Sequence, residues 1–243
     1  MPHRPMIAVV FLLALALTGC RGAPTSTSTT IPTPVASSST SSSTSTSPTG
    51  DGTLSIGTLF PMTGDNAASG AAQVAGTEIA VRDILADQTT PTHPVQLIHR
   101  NSDGDLAAAY ADLAARGVDL VLWDATTALP ADVDSFAGNT AIVALIDFAN
   151  GGTPLAADEE FTARLETADP GLTATAGGSE AYDGVITAAL AAVITADDGG
   201  ASLEAGWPRV VSGTAVCASW GECVFALTQN QIIDYQGMTG RRS

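Results

Sequence analysis

There is no lysine in these 243 residues; nine arginines carry all of the positive charge against twenty-five aspartates and glutamates, for a formal net charge of −16 at pH 7. Every carboxylate lies after residue 50, where only seven of the arginines remain. A surface this acidic repels phosphate backbones and anionic lipid heads, which excludes nucleic acid as a partner class and leaves a well-solvated surface as the simplest reading. The short patterns of common enzyme chemistries are also missing: no G-x-x-x-x-G-K-[ST], no G-x-G-x-x-G after a strand, no G-x-S-x-G and no H-E-x-x-H. Aspartates do pair up where strands should end, Asp103 with Asp105 and Asp124 with Asp147, and could form a metal or acid-base pair. Loop and cap aspartates are common, however, so the chain reads as a non-enzyme with no cofactor. Metal binding by Cys217 and Cys223 is not expected for lack of a histidine nearby, since His93 and His99 stand more than a hundred residues away.

Long apolar runs are absent too. Residues 6–17, behind Arg4, form a run too short for a confident membrane span and shaped like the core of a secretory signal. The run ends in Leu17-Thr18-Gly19-Cys20, which resembles the bacterial lipoprotein box. That resemblance implies cleavage before Cys20 and lipid on its thiol; an ordinary signal peptide with an incidental cysteine is the other reading. One acyl chain holds a membrane only marginally, so stable anchoring implies more than one on Cys20. Residues 21–50 hold ten serines, nine threonines and four prolines and no carboxylate. Such a tract cannot bury enough surface to offset its ordering entropy, so it is expected to be a solvated tether spanning roughly 30 Å, with hydroxyls that could accept sugars. The expected organisation is a signal peptide over 1–19, a lipidated cysteine and tether over 20–50, and one domain over 51–243, at the extracytoplasmic face of the cell membrane. With Cys20 assigned, Cys217 and Cys223 remain as an even pair in a secreted context and are expected to form a disulfide.

The domain opens on alternating Leu54, Ile56, Thr58 and Phe60, stopped by Pro61, with Gly64 and Gly70 flanking a turn into a helix. Val74, Val81, Ile84 and Leu85 are expected to form that helix's buried face. A strand over 94–100 follows, then a helix capped by Asp105 with Leu106, Ala109, Tyr110 and Leu113 on one side and Gly117 at its end. A buried strand over 118–123, a helix carrying Leu129, Val133 and Phe136, and an apolar strand over 140–148 continue the alternation. Alternation with short loops predicts a three-layer α/β/α sandwich with a mainly parallel sheet. Ligands in such sheets bind beyond the carboxyl ends of the strands, which singles out 62–69, 101–105, 124–127 and 147–150. Further on, a short helix with Phe161 and Leu165 on one side and a long one over 180–196, apolar nearly all round and so buried, are expected. Ser219 and Glu222 form a capping box for a helix with Trp220, Cys223, Val224 and Leu227 on one face.

In order and residue type, I-G-x-L-F-P-M-T-G from Ile56 and G-A-A-x-x-x-G-x-E-I-A-V from Gly70 resemble the opening of the amino-acid-binding proteins of bacterial ABC importers, the branched-chain type with the type I periplasmic-binding fold. Ala181-Tyr182-Asp183-Gly184-Val185 resembles that family's late A-Y-D-A-V helix. Cys217-Ala218-Ser219-Trp220-Gly221-Glu222-Cys223 and Ile233-Asp234-Tyr235-Gln236-Gly237-Met238-Thr239-Gly240 resemble its disulfide-bearing tail. The resemblance covers 53–150 and 179–240. Between them, where relatives build a second lobe, this chain runs on through Gly151-Gly152-Thr153-Pro154, which implies one lobe with most of the second missing. The resemblance also implies a site: the family's Gly-Pro-x-Ser-Ser, whose hydroxyls and N–H groups receive a ligand carboxylate, corresponds to Trp123-Asp124-Ala125-Thr126-Thr127. Thr126 and Thr127 match the hydroxyls, or serve only as helix caps; Asp124 would repel a bound carboxylate and Trp123 could fill the space. With Thr63 in the first loop, the implied ligand set is Thr63, Asp124, Thr126 and Thr127. The implied function is weak or lost capture of a small amino-acid-like ligand for an ABC permease; the alternative is a degenerate lipoprotein kept as an interaction or structural module.

Overall fold

The computed structural model describes residues 49–87, 94–124, 138–149 and 155–240. Cys20 and most of the tether, Thr126 and Thr127, and the expected helix with Leu129, Val133 and Phe136 lie outside the described residues.

The chain alternates strand and helix through β1 (Leu54–Phe60), α1 (Ala67–Ala86), β2 (Val95–Asn101), α2 (Leu106–Ala115), β3 (Leu120–Trp123) and β4 (Ala141–Ala144). The four strands form one parallel sheet in the order β2-β1-β3-β4. Strand period sorts the side chains. Leu54, Ile56 and Phe60 of β1 join Leu120 and Leu122 of β3 against α1 and later helices. Leu59 and Val121 point the other way, into a second cluster with Leu106, Tyr110 and Leu113 of α2. Helices thus cover both faces, which is why β1 is buried nearly throughout. Asp105 caps α2 by accepting a hydrogen bond from the Ala108 N–H at 2.9 Å, and Gly117 follows it in the left-handed region at φ 70°.

Two expectations fail for packing reasons. The strand expected over 140–148 ends at Ala144, because β3 offers only four residues to pair with. Leu145–Phe148 then turns as a 3₁₀ segment that still buries Leu145 and Phe148, the latter edge-on to Trp207 at 5.8 Å. The expected face of α1 is also wrong in part: Leu85 is 61 % exposed, while Ala72, Gln73, Gly76, Thr77 and Ala80 are buried. The cause is a close helix crossing. A Cβ on Gly76 would stand 2.1 Å from the Gly178 carbonyl oxygen, so the smallest side chains, not the most apolar ones, mark the contact.

That partner is α4 (Gly178–Thr195), preceded by α3 (Glu159–Ala168), which Asp158 caps, and followed by α5 (Gly200–Val210). As expected, α4 is buried, with Val185, Ile186 and Leu190 at the centre of the main core. The chain closes with β5 (Ala215–Cys217), α6 (Trp220–Thr228) and β6 (Ile233–Tyr235), β5 and β6 pairing in parallel. Cys217 and Cys223 form the expected disulfide, tying β5 to α6. Ser219 accepts from the Glu222 N–H, and Glu222 reaches back to the Ala218 N–H at 2.9 Å rather than to that of Ser219 itself.

Candidate functional site

The chain leaves β1 for β2 on one side and returns to β3 on the other, so the connections diverge at the carboxyl ends of β1 and β3. A sheet opens a crevice at such a switch point. On its β2 side a tight polar network joins two loops. Asn101 accepts from the backbone N–H groups of Met62 at 2.8 Å and Asp103 at 3.1 Å, and its amide donates to the Thr63 hydroxyl at 2.8 Å. Thr63 in turn donates to Asp103 at 2.7 Å. The donor that a ligand carboxylate would need from Thr63 is therefore already committed, although the residue is exposed.

On the β3 side, Asp124 is only 6 % exposed. Its backbone N–H donates to Leu59 at 3.1 Å, extending the strand pairing by one step, and its carboxylate accepts from the side-chain amide of Gln73 on α1. Gln73 is 1 % exposed, and a Cβ on Gly177, just ahead of α4, would fall 2.8 Å from its Nε2. The start of α4 thus closes over the Gln73–Asp124 pair, and Ser69 of α1 donates to the Ala176 carbonyl at 3.1 Å beside it. Trp123 packs instead with the α2-side cluster, so it does not occupy the α1 side of the crevice. Thr63 and Asp124 flank the end of β1 but are turned apart, one toward the β2 loop and the other toward α1. Gln73 was not among the expected site residues; a polar side chain on the Gly76–Thr77–Ala80 side of α1 was the available signal.

Glu180, in the first turn of α4, is fully buried and accepts from the Leu155 N–H at 2.5 Å; burial pushes its carboxyl above the usual range. On β2, His99 shares a 2.7 Å hydrogen bond with Thr58 and lies 3.6 Å from Glu78. Burial outweighs Glu78 and holds its pKa below the ordinary value, favouring the neutral ring.

The residues of the late motifs are spent on each other. Asp183 is fully buried and accepts four hydrogen bonds from the tail: the Tyr235 hydroxyl at 2.6 Å, the Met238 N–H at 3.0 Å, and the N–H and hydroxyl of Thr239 at 2.8 and 2.6 Å. Gly237, at φ 56°, lets the tail wrap this carboxylate; a Cβ there would lie 2.2 Å from Asp183 Oδ1. Tyr182 donates to Asp83 of α1 at 2.7 Å, and Arg164 of α3 bonds both Asp83 oxygens at 2.8 and 2.7 Å. Burial and the neighbouring Asp83 push the Tyr182 phenol above its ordinary range. The arginine also lies over the rings of Phe161 and Tyr182, joining three helices.

The paired aspartates take separate places. Asp103 serves Thr63, Asp105 caps α2, Asp124 holds Gln73, and Asp147 is exposed on the 3₁₀ segment. Among the described residues no three histidine, cysteine or carboxylate groups are placed to hold a metal ion. At the opposite, amino end of the sheet, Asp119 accepts from the Ser55 N–H at 2.9 Å. Burial, joined by Asp198, Asp51 and Asp197, raises its pKa from 3.8 to about 6 against the pull of that hydrogen bond. Asp197 there accepts from the N–H groups of Thr49 at 3.2 Å and Gly50 at 3.0 Å, fastening the start of the described chain to the end of α4. No family model, no curated protein and no solved structure matches the chain.

Proposed function

We propose that this chain is an extracytoplasmic lipoprotein of the solute-binding type, resembling the amino-acid-capturing component of an ABC importer and reduced to one lobe, in which capture of a small amino-acid-like ligand is weak or lost. The ordered motifs from Ile56 to Gly64, from Ala181 to Val185 and from Ile233 to Gly240 support the likeness. The observation that carries the loss is the Gln73–Asp124 pair: the chain's own carboxylate lies buried at the switch point, where a ligand's carboxylate would be received. The same pair favours the second reading, an interaction or structural module with no small-molecule ligand, because a closed crevice costs nothing to a domain that uses its outer surface.

Capture by a single lobe is weak on physical grounds as well. A ligand with one side in water keeps its charge pairs screened, at about 0 to 1 kcal/mol each, which three or four contacts cannot raise above the several kcal/mol lost on immobilisation. Calorimetry of the purified chain against the common amino acids is the test. Affinity no better than about millimolar is expected, near −4 kcal/mol. Micromolar binding of any amino acid, abolished by changing Thr126 and Thr127 to alanine, would overturn the reading and restore transport by way of an ABC permease.

A further inference from the structure

At the other end of α4 from the switch point lies a half-open groove of about 690 Å³. Its walls are aliphatic: Val193 and Ile194 from the last turn of α4, Val224 and Leu227 from α6, and Ile232 ahead of β6. Among the described residues Arg209, in the last turn of α5, is the only charged side chain in the lining. Ser212, Asn230 and Gln231 add neutral polar groups at the rim. No ion pair engages Arg209 among the described residues, whereas Arg100, Arg116 and Arg164 are each paired with an aspartate. The helix carboxyl ends that meet here would tend to oppose an anion, but several of their carbonyls already have donors. Ala192 accepts from the N–H groups of Ala196 and Asp197; Phe225, Ala226 and Leu227 accept from those of Gln229, Asn230 and Gln231. Arg209 therefore sets the sign of the groove, in a chain whose formal net charge is −16. The wall is also firm, since the disulfide to β5 and the buried Trp220, Cys223 and Val224 hold α6 in place.

Concave apolar lining with one placed charge is the usual make-up of a small-molecule site, and this volume falls inside the range of roughly 300 to 1,000 Å³ that such sites occupy. We infer that the groove binds a single-chain amphipathic carboxylate, a fatty acid, with its tail along the Val193, Ile194, Val224 and Leu227 wall and its head on the Arg209 guanidinium. A neutral apolar ligand leaves the guanidinium unused, and a cationic amphiphile is repelled by it; a monoanion satisfies both parts of the lining. The site is separate from the switch-point crevice and does not depend on how that crevice is read.

The test is titration of the purified full chain with laurate, decanoate and dodecanol, each kept below its aggregation threshold, by calorimetry. Laurate is expected to bind in the micromolar range, decanoate about tenfold more weakly for its two missing methylenes, and dodecanol at least fivefold more weakly for want of the charge. Arg209→Gln should weaken laurate by about fivefold to tenfold and bring it level with dodecanol, while Arg209→Lys keeps most of the affinity. Laurate left unbound at about 1 mM, dodecanol bound as tightly as laurate, or laurate binding unchanged in a folded Arg209→Gln chain would each overturn the assignment. If circular dichroism shows Arg209→Gln unfolded, the laurate and dodecanol comparison on the unaltered chain decides.

Discussion

Replacing Asp183 should cost this domain more than any substitution at its surface. The carboxylate is fully buried and holds four donors, two backbone N–H groups and two hydroxyls, all within 3.0 Å. Asp183→Ala removes these acceptors at once and leaves buried and half-buried donors, at about 1 to 3 kcal/mol for each that finds no new partner. Relaxation of the half-buried segment around Met238 and Thr239 recovers part of this, so the net loss is put at about 3 to 5 kcal/mol, the range for breaking a buried charged network. Against a total stability of about 5 to 15 kcal/mol the variant stands at the edge of folding, and a domain of this size should melt roughly 6 to 20 °C lower. Asp183→Asn discriminates further. One oxygen takes Tyr235 and Met238 and the other takes Thr239, so an amide keeps one set and turns its own N–H groups on the other, for an intermediate loss. Urea denaturation of the unaltered chain, both Asp183 variants, Thr239→Val and the double variant is the assay. A loss below about 1 kcal/mol for Asp183→Ala, or strict additivity with Thr239→Val, would refute the coupling of α4 to the tail.

Stability should also depend on pH through Asp119. Its folded pKa of about 6 lies above the ordinary 3.8, so the fold binds this proton more tightly than the unfolded chain, and the group's penalty appears as pH rises through 4 to 6 and is complete above that. Allowing for solvent screening of this half-buried carboxyl, Asp119→Asn should gain roughly 1 kcal/mol at pH 7.5 and nothing at pH 4 by denaturant titration; equal gains at both would exclude a titration effect. Gly76→Ala forces a methyl onto the Gly178 carbonyl and should cost about 1 to 3 kcal/mol or more, while Leu85→Ser on the same helix stays within about 0.5 kcal/mol, as thermal melts would show. Reduction of the Cys217–Cys223 bridge should cost about 2 kcal/mol by the loop-length relation, and thiol titration of the denatured, unreduced chain should find neither cysteine of the pair free. In cells, the chain should partition with membranes and Cys20→Ser should release it or block its maturation; a membrane-free chain with unmodified Cys20 would sink the lipoprotein reading.

Much of the sheet was legible because single residues punctuate it. Pro61 ends β1, Asp105 caps α2, Gly117 follows it, and the alternation of Leu54, Ile56 and Phe60 gives the face against α1. What escaped were features set by a partner rather than by the segment itself. Part of the buried face of α1 was missed, although Ile84 is buried as expected, because α4 approaches through Gly76, whose lack of a side chain gives no apolar signal. The end of β4 was missed because it depends on how long β3 is, and β5 and β6, at three residues each, are too short to show a period. Asp183 could have been found from sequence by a different rule: a carboxylate inside a helix apolar enough to be buried must have its partners supplied from elsewhere.

The crevice divides along the same line. Strand parity alone sends Leu120 and Leu122 to the α1 face and Val121 and Trp123 to the α2 face, so the indole was never in a position to fill the α1 side of the switch point. Asp124 stands one residue past the strand, where parity no longer rules, and only the amide of Gln73 shows which way it turns. That turn decides the chemistry. A ligand carboxylate placed within about 4 Å of a buried aspartate meets a repulsion of roughly 4 kcal/mol at an effective dielectric near 20. A helix N-terminus offers an anion about 0.3 to 1 kcal/mol in return, and about 2 at most. Asp124→Asn removes the larger quantity and leaves the smaller. If the crevice is closed to amino acids by this one charge, that variant should bind them more tightly than the unaltered chain by at least tenfold; if both fail equally, Asp124 is not what bars an amino acid from the crevice.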